Sequence, residues 1–304
     1  MGIFFAITAS FFCTFSNYCI RKSQDHGGTS QTAIMIQMIA AFFIMIFLNP
    51  VRMNSYFITP SVVVLGLLAG AIMGSMVFFI GKALEKGPAG LTFAAISAAT
   101  ALPSIFLFIS VGELFQLEYH FWNGLGSILV IAGLLWAAWQ YTQVKEMKKW
   151  LLFALTAFSM HILFLSLISV RSLAMNFPQL QIPFFPAAEL QSLWFMPMIY
   201  LAAAAFQIQA FFRQEKRSIA RWEWIYGILG GLANGSSTFF VIKSTEYASP
   251  VERAMIFPIF SVLVMVFCYA WGQKLYQEKV NWKACNLSVL GLIVGTVDWQ
   301  LIFK

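Results

Sequence analysis

Residues 2–20 carry no charged side chain, and nine further charge-poor stretches of similar length follow along the chain. A helix needs about 20 apolar residues to cross the hydrocarbon layer of a membrane, so each stretch predicts one membrane-spanning helix. The predicted spans are 2–20, 31–51, 60–82, 88–111, 121–142, 150–170, 190–212, 223–243, 251–272 and 282–302. The fold class expected from this pattern is an all-α integral membrane protein with ten transmembrane helices.

The charge distribution supports the same class. Hydrophobic residues make up 60% of the chain and charged residues only 10%, whereas about a quarter of the residues in soluble domains are charged. The net charge of +7 does not indicate nucleic-acid binding, because the Lys and Arg residues lie between apolar spans and contact lipid headgroups. Most of them follow odd-numbered spans, which predicts that both termini lie outside the cytoplasm. We expect a multi-pass protein of the bacterial inner (plasma) membrane.

The residues needed for catalysis are scarce. The few acids and three histidines cannot form an acid-rich magnesium motif or an HExxH zinc motif, and no phosphate-binding GxxxxGK[ST] loop is present. The four cysteines form no CxxC pair, so they are predicted to pack between helices: Cys13, Cys19, Cys268 and Cys285. The sequence therefore predicts that the protein is not an enzyme and needs no cofactor or metal.

A polar signature occurs twice and indicates an internal duplication. Lys82 and Glu85 are followed 161 positions later by Lys243 and Glu246, and each pair ends a long uncharged stretch. The marks Gly112-Glu113-Leu114 and Gly272-Gln273-Lys274-Leu275 then repeat at nearly the same offset. The predicted units are residues 1–145 and 146–304. Because five spans per unit is an odd number, the second unit must enter the membrane in the opposite sense, as in many secondary transporters.

Several short motifs support a family resemblance. The first half carries Lys82-Ala83-Leu84, Pro103, Gly112-Glu113-Leu114, Gly126 and Gly133. The second half carries Ala248-Ser249-Pro250, Pro258, Gly272-Gln273-Lys274-Leu275, Gly291 and Gly295. This pattern resembles the ten-span, EamA-like branch of the drug/metabolite transporter superfamily.

The resemblance implies two inverted five-helix repeats around a central cavity, lined mainly by spans 1, 3, 4, 6, 8 and 9, that opens alternately to each side. It also implies small metabolites as substrates, such as amino acids, nucleotide derivatives, sugars and amphipathic compounds. Members of the family commonly keep both termini in the cytoplasm, which is the opposite of the orientation that the charge count predicts. Phosphate-antiporting relatives carry a Lys-Arg pair in the ninth span, where this chain has Phe257-Pro258-Ile259-Phe260, so phosphate exchange is not expected.

Lys82 and Lys243 are the first candidates for substrate binding, because ionised side chains within a membrane are costly and usually functional. Each has a glutamate three positions on, close enough on a helix to form a pair. One interpretation is a symmetric pair of sites flanking the transport path. The alternative is that both lysines reach from helix ends to the interface.

Other candidates are polar residues inside predicted spans. His161 lies in the middle of the sixth span, where it could relay protons, bind substrate or form a hydrogen bond to another helix. Polar groups in hydrocarbon need partners, so the remaining candidates should face a wet cavity or join helices: Asn17, Ser97, Thr100, Asn234 and Ser237. Four glycines of the eighth span are assigned to helix packing: Gly227, Gly230, Gly231 and Gly235.

The function expected from these features is secondary transport of a small polar or amphipathic metabolite by alternating access through a central cavity. The expected partners are that metabolite, protons in a coupled mechanism, and membrane lipids, with the protein a monomer or homodimer. A membrane channel is the main alternative, because inverted repeats and polar cavities serve both classes. A membrane-embedded lipid-modifying enzyme is a further alternative.

Overall fold

The computed structural model describes residues 1–115, 119–139, 146–176, 185–215, 217–247, 250–297 and 299. All regular structure within these ranges is helical. The α-helices are α1 Gly2–Asp25, α2 Ser30–Ile46, α3 Pro60–Leu84, α4 Ala89–Ala98, α5 Pro103–Phe115, α6 Phe121–Trp139, α7 Met147–Asn176, α8 Ala187–Leu190, α9 Phe195–Gln214, α10 Arg221–Glu246, α11 Pro250–Tyr276 and α12 Trp282–Thr296. The predicted boundary between the two units, between residues 145 and 146, lies at the edge of residues 140–145, which are outside the described residues.

Local sequence explains where several helices begin. Thr29 caps α2 by accepting a hydrogen bond from the Thr32 amide, and Asn281 caps α12 by accepting one from Ala284. Pro60 occupies the first turn of α3, where its missing N–H costs nothing.

Seven helices of the described residues are long and apolar enough to cross a membrane. They are Gly2–Asp25, Ser30–Val51, Pro60–Leu84, Met147–Met175, Phe195–Gln214, Arg221–Ser244 and Ile256–Tyr276. Large apolar side chains such as Ile109 (76% exposed) and Phe212 (68% exposed) lie on the outside, as a hydrocarbon solvent requires. The chain therefore has the architecture of a multi-pass membrane protein.

The other predicted spans correspond to shorter apolar helices. Residues 121–142 and 282–302 give α6 and α12, and residues 88–111 give α4 and α5. The prediction of one continuous helix over 88–111 was wrong, because a short 3₁₀ turn at Ala99–Ala101 separates α4 from α5. Pro103 begins α5, and its ring cannot donate the backbone hydrogen bond that would continue α4.

The helices pack as a connected set of pairs. α1 lies against α10 and α11, α2 against α10 and α9, and α3 against α9 and α7. α4 packs on α11, and α6 packs on α12. In two of these pairs, α3 with α9 and α10 with α2, the helices approach closely at glycines spaced four residues apart, which lie on one helix face.

The α10 glycines pack as predicted. A Cβ atom built on Gly227 or Gly231 would lie 2.6 or 2.5 Å from the Cβ of Ile36 or Ala40 on α2, and one on Gly235 would collide with Ile44. Real Cβ atoms essentially never approach closer than 3.0 Å, so these positions require glycine. Gly230 faces α1 instead, where a Cβ atom built on it would lie 3.2 Å from the Cβ of Cys19.

An equivalent stripe on α3 packs on α9. A Cβ atom on Gly66, Gly70 or Gly74 would lie 2.5, 2.6 or 2.9 Å from the Cβ of Met198, Ala202 or Phe206. The three α3 glycines precede Gly227, Gly231 and Gly235 by 161 positions each.

The cysteines also fulfil their predicted packing role. All four are free; Cys19, Cys268 and Cys285 are buried and Cys13 is partly buried. Within the described residues, no group of three or more His, Cys, Asp and Glu side chains is placed to hold a metal ion.

Candidate functional site

The interruption between α4 and α5 brings polar groups of different helices together. The Ser97 hydroxyl donates to the carbonyl of Phe93 at 3.0 Å, and the Thr100 hydroxyl lies 2.9 Å from the Ser97 carbonyl. Thr100 Oγ1 is also 2.9 Å from Ser261 Oγ of α11. Thr100 and Ser261 are themselves 161 positions apart, which is the offset of the predicted duplication.

His161 of α7 joins this group. Its Nδ1 lies 2.7 Å from the carbonyl oxygen of Ile96, at the end of α4. Because a carbonyl can only accept, Nδ1 carries the proton in this contact, which leaves Nε2 as the acceptor nitrogen of a neutral ring. The structure therefore brings together three of the predicted site residues, Ser97, Thr100 and His161. We call this set, with Ser261, the break cluster.

Asn17 lies in an aromatic region beside α11 and α4. Its Nδ2 donates to Cys268 Sγ over 3.8 Å, and Cys268 belongs to the same buried core as Phe93. The Trp271 ring centroid is 6.1 Å from those of both Phe93 and Tyr18. Phe93 and Thr100 are seven residues apart, about 10 Å along a helix, so the contacts of Asn17 lie on the part of α4 that precedes the break cluster.

Asn234 and Ser237 join α10 to its neighbours. Asn234 Oδ1 lies 3.5 Å from the Tyr200 hydroxyl, which also contacts Thr238 Oγ1 at 2.8 Å. Ser237 is buried and donates to the Ala9 carbonyl of α1 at 2.8 Å. These contacts fit the alternative that both side chains connect helices.

Lys82 and Lys243 lie in the last turns of α3 and α10. Lys82 Nζ is 3.6 Å from Glu85, as their spacing predicted, while the side chain of Glu246 lies outside the described part of the chain. Each ammonium is 5.8 Å from the ring of an aromatic residue one turn earlier, Phe78 or Phe239. Since Thr100 lies about 16 Å along the helix axis from the start of α4, the structure does not bring Lys82 into the break cluster.

Sequence reasoning missed a carboxylate at the start of α4. Glu278 accepts hydrogen bonds from the backbone amides of Ala89 and Gly90 at 2.8 and 2.9 Å, which satisfies two otherwise unpaired donors. Burial raises the pKa of Glu278, while the two backbone bonds oppose that rise. A Cβ on Gly90 or Gly272 would lie 2.7 or 2.9 Å from Glu278 Oε2, so both glycines make room for the carboxylate.

A second missed carboxylate is Glu223, whose side chain is fully buried at the start of α10. It accepts from the Thr29 and Ala220 amides at 2.8 and 2.7 Å and from the Arg217 guanidinium at 2.5 and 2.9 Å. Hydrogen bonds to Glu223 and Glu215 raise the pKa of Arg217 above its usual value. At the start of α3, Glu189 similarly accepts from the Ser61 hydroxyl at 2.5 Å. Carboxylates thus hold the N-terminal ends of three helices.

The substitution Glu223→Ala is expected to lower the free energy of unfolding by about 2 kcal/mol, because it removes the buried acceptor of two backbone amides and of the partly exposed Arg217 guanidinium. Thermal unfolding of the purified protein in detergent measures the effect. Arg221→Ala is the matched control, since Arg221 is an exposed charge in the same helical turn. Equal melting temperatures for the two variants would contradict the assignment.

No protein-family model matches the sequence, and no curated protein matches it. Eight chains of solved structures match its fold. One of them, described simply as a crystal structure of a protein, superposes with a TM-score of 0.63 and 15% identity over 97% of this chain and 98% of its own. At that identity the similarity concerns the fold alone: the chain adopts, over nearly its whole length, a helical fold found in another protein.

Proposed function

We propose that the protein is a secondary transporter that moves a small polar or amphipathic metabolite across the membrane by alternating access. The observation that carries the proposal is that positions about 161 residues apart in the two halves of the chain have exchanged packing partners, as two inverted repeats would. Three sets of contacts support it: the two glycine stripes on α3 and α10, the other helix pairs, and the break cluster.

The two glycine stripes support a repeat in which each half packs on the other. Gly66, Gly70 and Gly74 of the first half lie on α9 of the second half, and their counterparts on α10 lie on α2 of the first half. The contacted residues also correspond, since Ile36, Ala40 and Ile44 precede Met198, Ala202 and Phe206 by 162 positions. Such an exchange is expected of two units related by a two-fold axis in the membrane plane.

The remaining helix pairs fit the same operation. On the proposed repeat, α1 corresponds to α7 and α10 corresponds to α3. The contact of α1 with α10 should therefore have a counterpart between α7 and α3, and both contacts are present. The pairs α4 with α11 and α6 with α12 map onto themselves, so they should lie on the axis. Thr100 beside Ser261 and Gly291 against the backbone of Val130 are contacts between positions 161 apart, as an axis through these pairs requires.

An interrupted helix on such an axis favours a binding site there. In many secondary transporters, substrates bind where helices are discontinuous near the middle of the membrane, because the unwound backbone offers free polar groups. The break cluster offers hydroxyls, the Ile96 carbonyl and the His161 ring. We therefore place Ser97, Thr100, His161 and Asn17 at the substrate site, with Asn234 and Ser237 as helix connectors beside it.

The chemistry of this site favours an uncharged polar or amphipathic portion of the substrate. The groups that meet at the break are neutral hydrogen-bonding groups. The aromatic ring of Phe93 lies one to two turns away, with Trp271 beside it. On this proposal the chain has ten spans, α4 and α5 together forming the fourth, and belongs to the EamA-like branch that its motifs resemble. Lys82 and Lys243 would then flank the path from helix ends.

Counterflow tests the proposal against a channel. Purified protein in vesicles preloaded with unlabelled substrate should take up labelled substrate faster than protein in empty vesicles, because a carrier returns loaded more readily than empty. Metabolites for the assay are found by thermal stabilisation, since a ligand that binds the native state raises its apparent stability. Uptake that is unaffected by preloading would indicate a channel.

A further inference from the structure

A groove opens between α4, α6 and α7. Every side chain that lines it is apolar or aromatic, from Leu91 and Ala95 on α4 through Leu135 on α6 to Leu155 and Phe158 on α7. Its outer edges face away from the protein, with Leu135 60% and Leu155 53% exposed. The groove therefore opens sideways into the hydrocarbon that surrounds a membrane-spanning chain.

One end of the groove is marked by Trp150 and by basic residues. Trp150 lines the groove, and its indole N–H donates to Thr92 Oγ1 at 2.8 Å, which fixes the ring. Lys148 and Lys149 immediately precede it and are exposed. A tryptophan beside lysines at the start of a spanning helix is typical of the level of the lipid headgroups.

The charge at this end is positive overall. Glu146 lies 2.7 Å from Lys86 and 3.0 Å from Lys149, and these lysines lower the pKa of Glu146 to about 2, so it remains ionised at neutral pH. Glu146 thus pairs with two lysines and the neighbouring Glu85 pairs with Lys82, whereas the described residues provide no ion-pair partner for Lys148.

We propose that this groove binds an anionic phospholipid, with one acyl chain between α4, α6 and α7 and its phosphate held by Lys148 and Lys149. From Trp150 to Phe158 the groove follows about 12 Å of α7, which suits part of an acyl chain.

The preference for an anionic over a neutral phospholipid must come from the lysines and not from the apolar lining. A lipid tail gains little by moving from bilayer to an apolar groove, because both surroundings are hydrocarbon. Basic residues near the membrane surface attract anionic lipids, which are concentrated in the cytoplasmic leaflet. The end with Lys148 and Lys149 follows the fifth predicted span and lies on the side to which the charge count assigns the cytoplasm.

Native mass spectrometry of protein equilibrated with equal amounts of phosphatidylglycerol and phosphatidylcholine of identical acyl chains tests the proposal. Two lysines are expected to give the anionic lipid roughly a 30-fold preference, at about fivefold for each charge. A phosphatidylglycerol carrying a photoreactive group in the chain should label α6 and the first half of α7. Equal retention of the two lipids, or labelling elsewhere, would overturn the proposal.

Three variants test separately the lysines that bind the phosphate and the groove that holds the acyl chain. Lys148→Gln with Lys149→Gln should abolish the preference, whereas Lys22→Gln with Lys274→Gln, which removes equal charge outside the groove, should retain it. Ala95→Phe fills the groove and should remove lipid labelling of α7 while the protein stays monodisperse. Preference that survives the first pair, or labelling that survives Ala95→Phe in folded protein, would show that lipid binds elsewhere.

Discussion

Valine at Gly231 is expected to leave little folded protein, and valine at Gly70 is expected to have the same effect. A Cβ atom at Gly231 would lie 2.5 Å from both the Ala40 Cβ and the Gln37 carbonyl oxygen, and one at Gly70 would lie 2.6 Å from the Ala202 Cβ and collide with the Ile199 carbonyl. Overpacking commonly costs 1–3 kcal/mol. Because part of each collision is with the backbone of the partner helix, which cannot rotate away, we expect a loss of at least about 3 kcal/mol.

Size-exclusion chromatography and thermal unfolding in detergent measure this loss. Gly124→Val is the matched control, since a Cβ at Gly124 of α6 meets no atom closer than 3.6 Å. It should behave nearly as the unmodified protein does. A similar loss for Gly70→Val and Gly231→Val is required by the proposed repeat, whereas a tolerated valine at either position would contradict the close packing described here.

The helices were largely predictable because hydrophobic length alone determines them. The uncharged stretches gave the positions of the long helices, and the spacing of Lys82 and Glu85 gave their ion pair. The packing role of Gly231 followed from small residues at helical spacing. The charged residues do not indicate the corresponding stripe from Gly66 to Gly74, although the offset of 161 relates each of its glycines to one of Gly227, Gly231 and Gly235.

The carboxylates at helix starts were not predictable in the same way. Glu278 and Glu223 lie at the edges of apolar stretches, where a charged residue ordinarily means a solvated connector. Their partners are backbone amides of helices that are distant in sequence, such as Ala89 for Glu278. One signal was present, since Glu118 precedes Glu278 by 160 positions, the offset of Gly112 and Gly272, although Glu118 lies outside the described residues.

The candidate site was predictable in its residue types but not in its geometry. A span pattern assigns a polar residue to a helix and leaves open its depth and the face it occupies. From the sequence, Lys82 is therefore a leading site candidate ahead of Thr100, although the structure puts Lys82 at a helix end and Thr100 at a helix break. Pro103 lies beside the break, but the predicted span 88–111 ran through it, and only the fold shows that Ser261 and His161 meet there.

His161→Phe is expected to reduce the initial rate of uptake about tenfold without a matching loss of folded protein. The substitution keeps an aromatic ring but removes the Nδ1–H that donates to the Ile96 carbonyl over 2.7 Å, which leaves that carbonyl with the Ala99 amide as its donor. Loss of one such hydrogen bond costs about 0.5–1.5 kcal/mol, and 1.4 kcal/mol corresponds to a factor of ten. Uptake in vesicles, normalised to the amount of monodisperse protein, measures the change.

His161→Asn separates the two roles open to this residue. The asparagine Nδ2 can take the place of the histidine Nδ1 as donor to Ile96, but asparagine has no ring nitrogen that can accept a proton in the position of Nε2. If His161 positions the break, His161→Asn should recover most of the activity that His161→Phe loses. If the ring relays protons, the asparagine variant should fold and bind substrate yet lose proton-dependent uptake. Unchanged transport in both variants would remove His161 from the site.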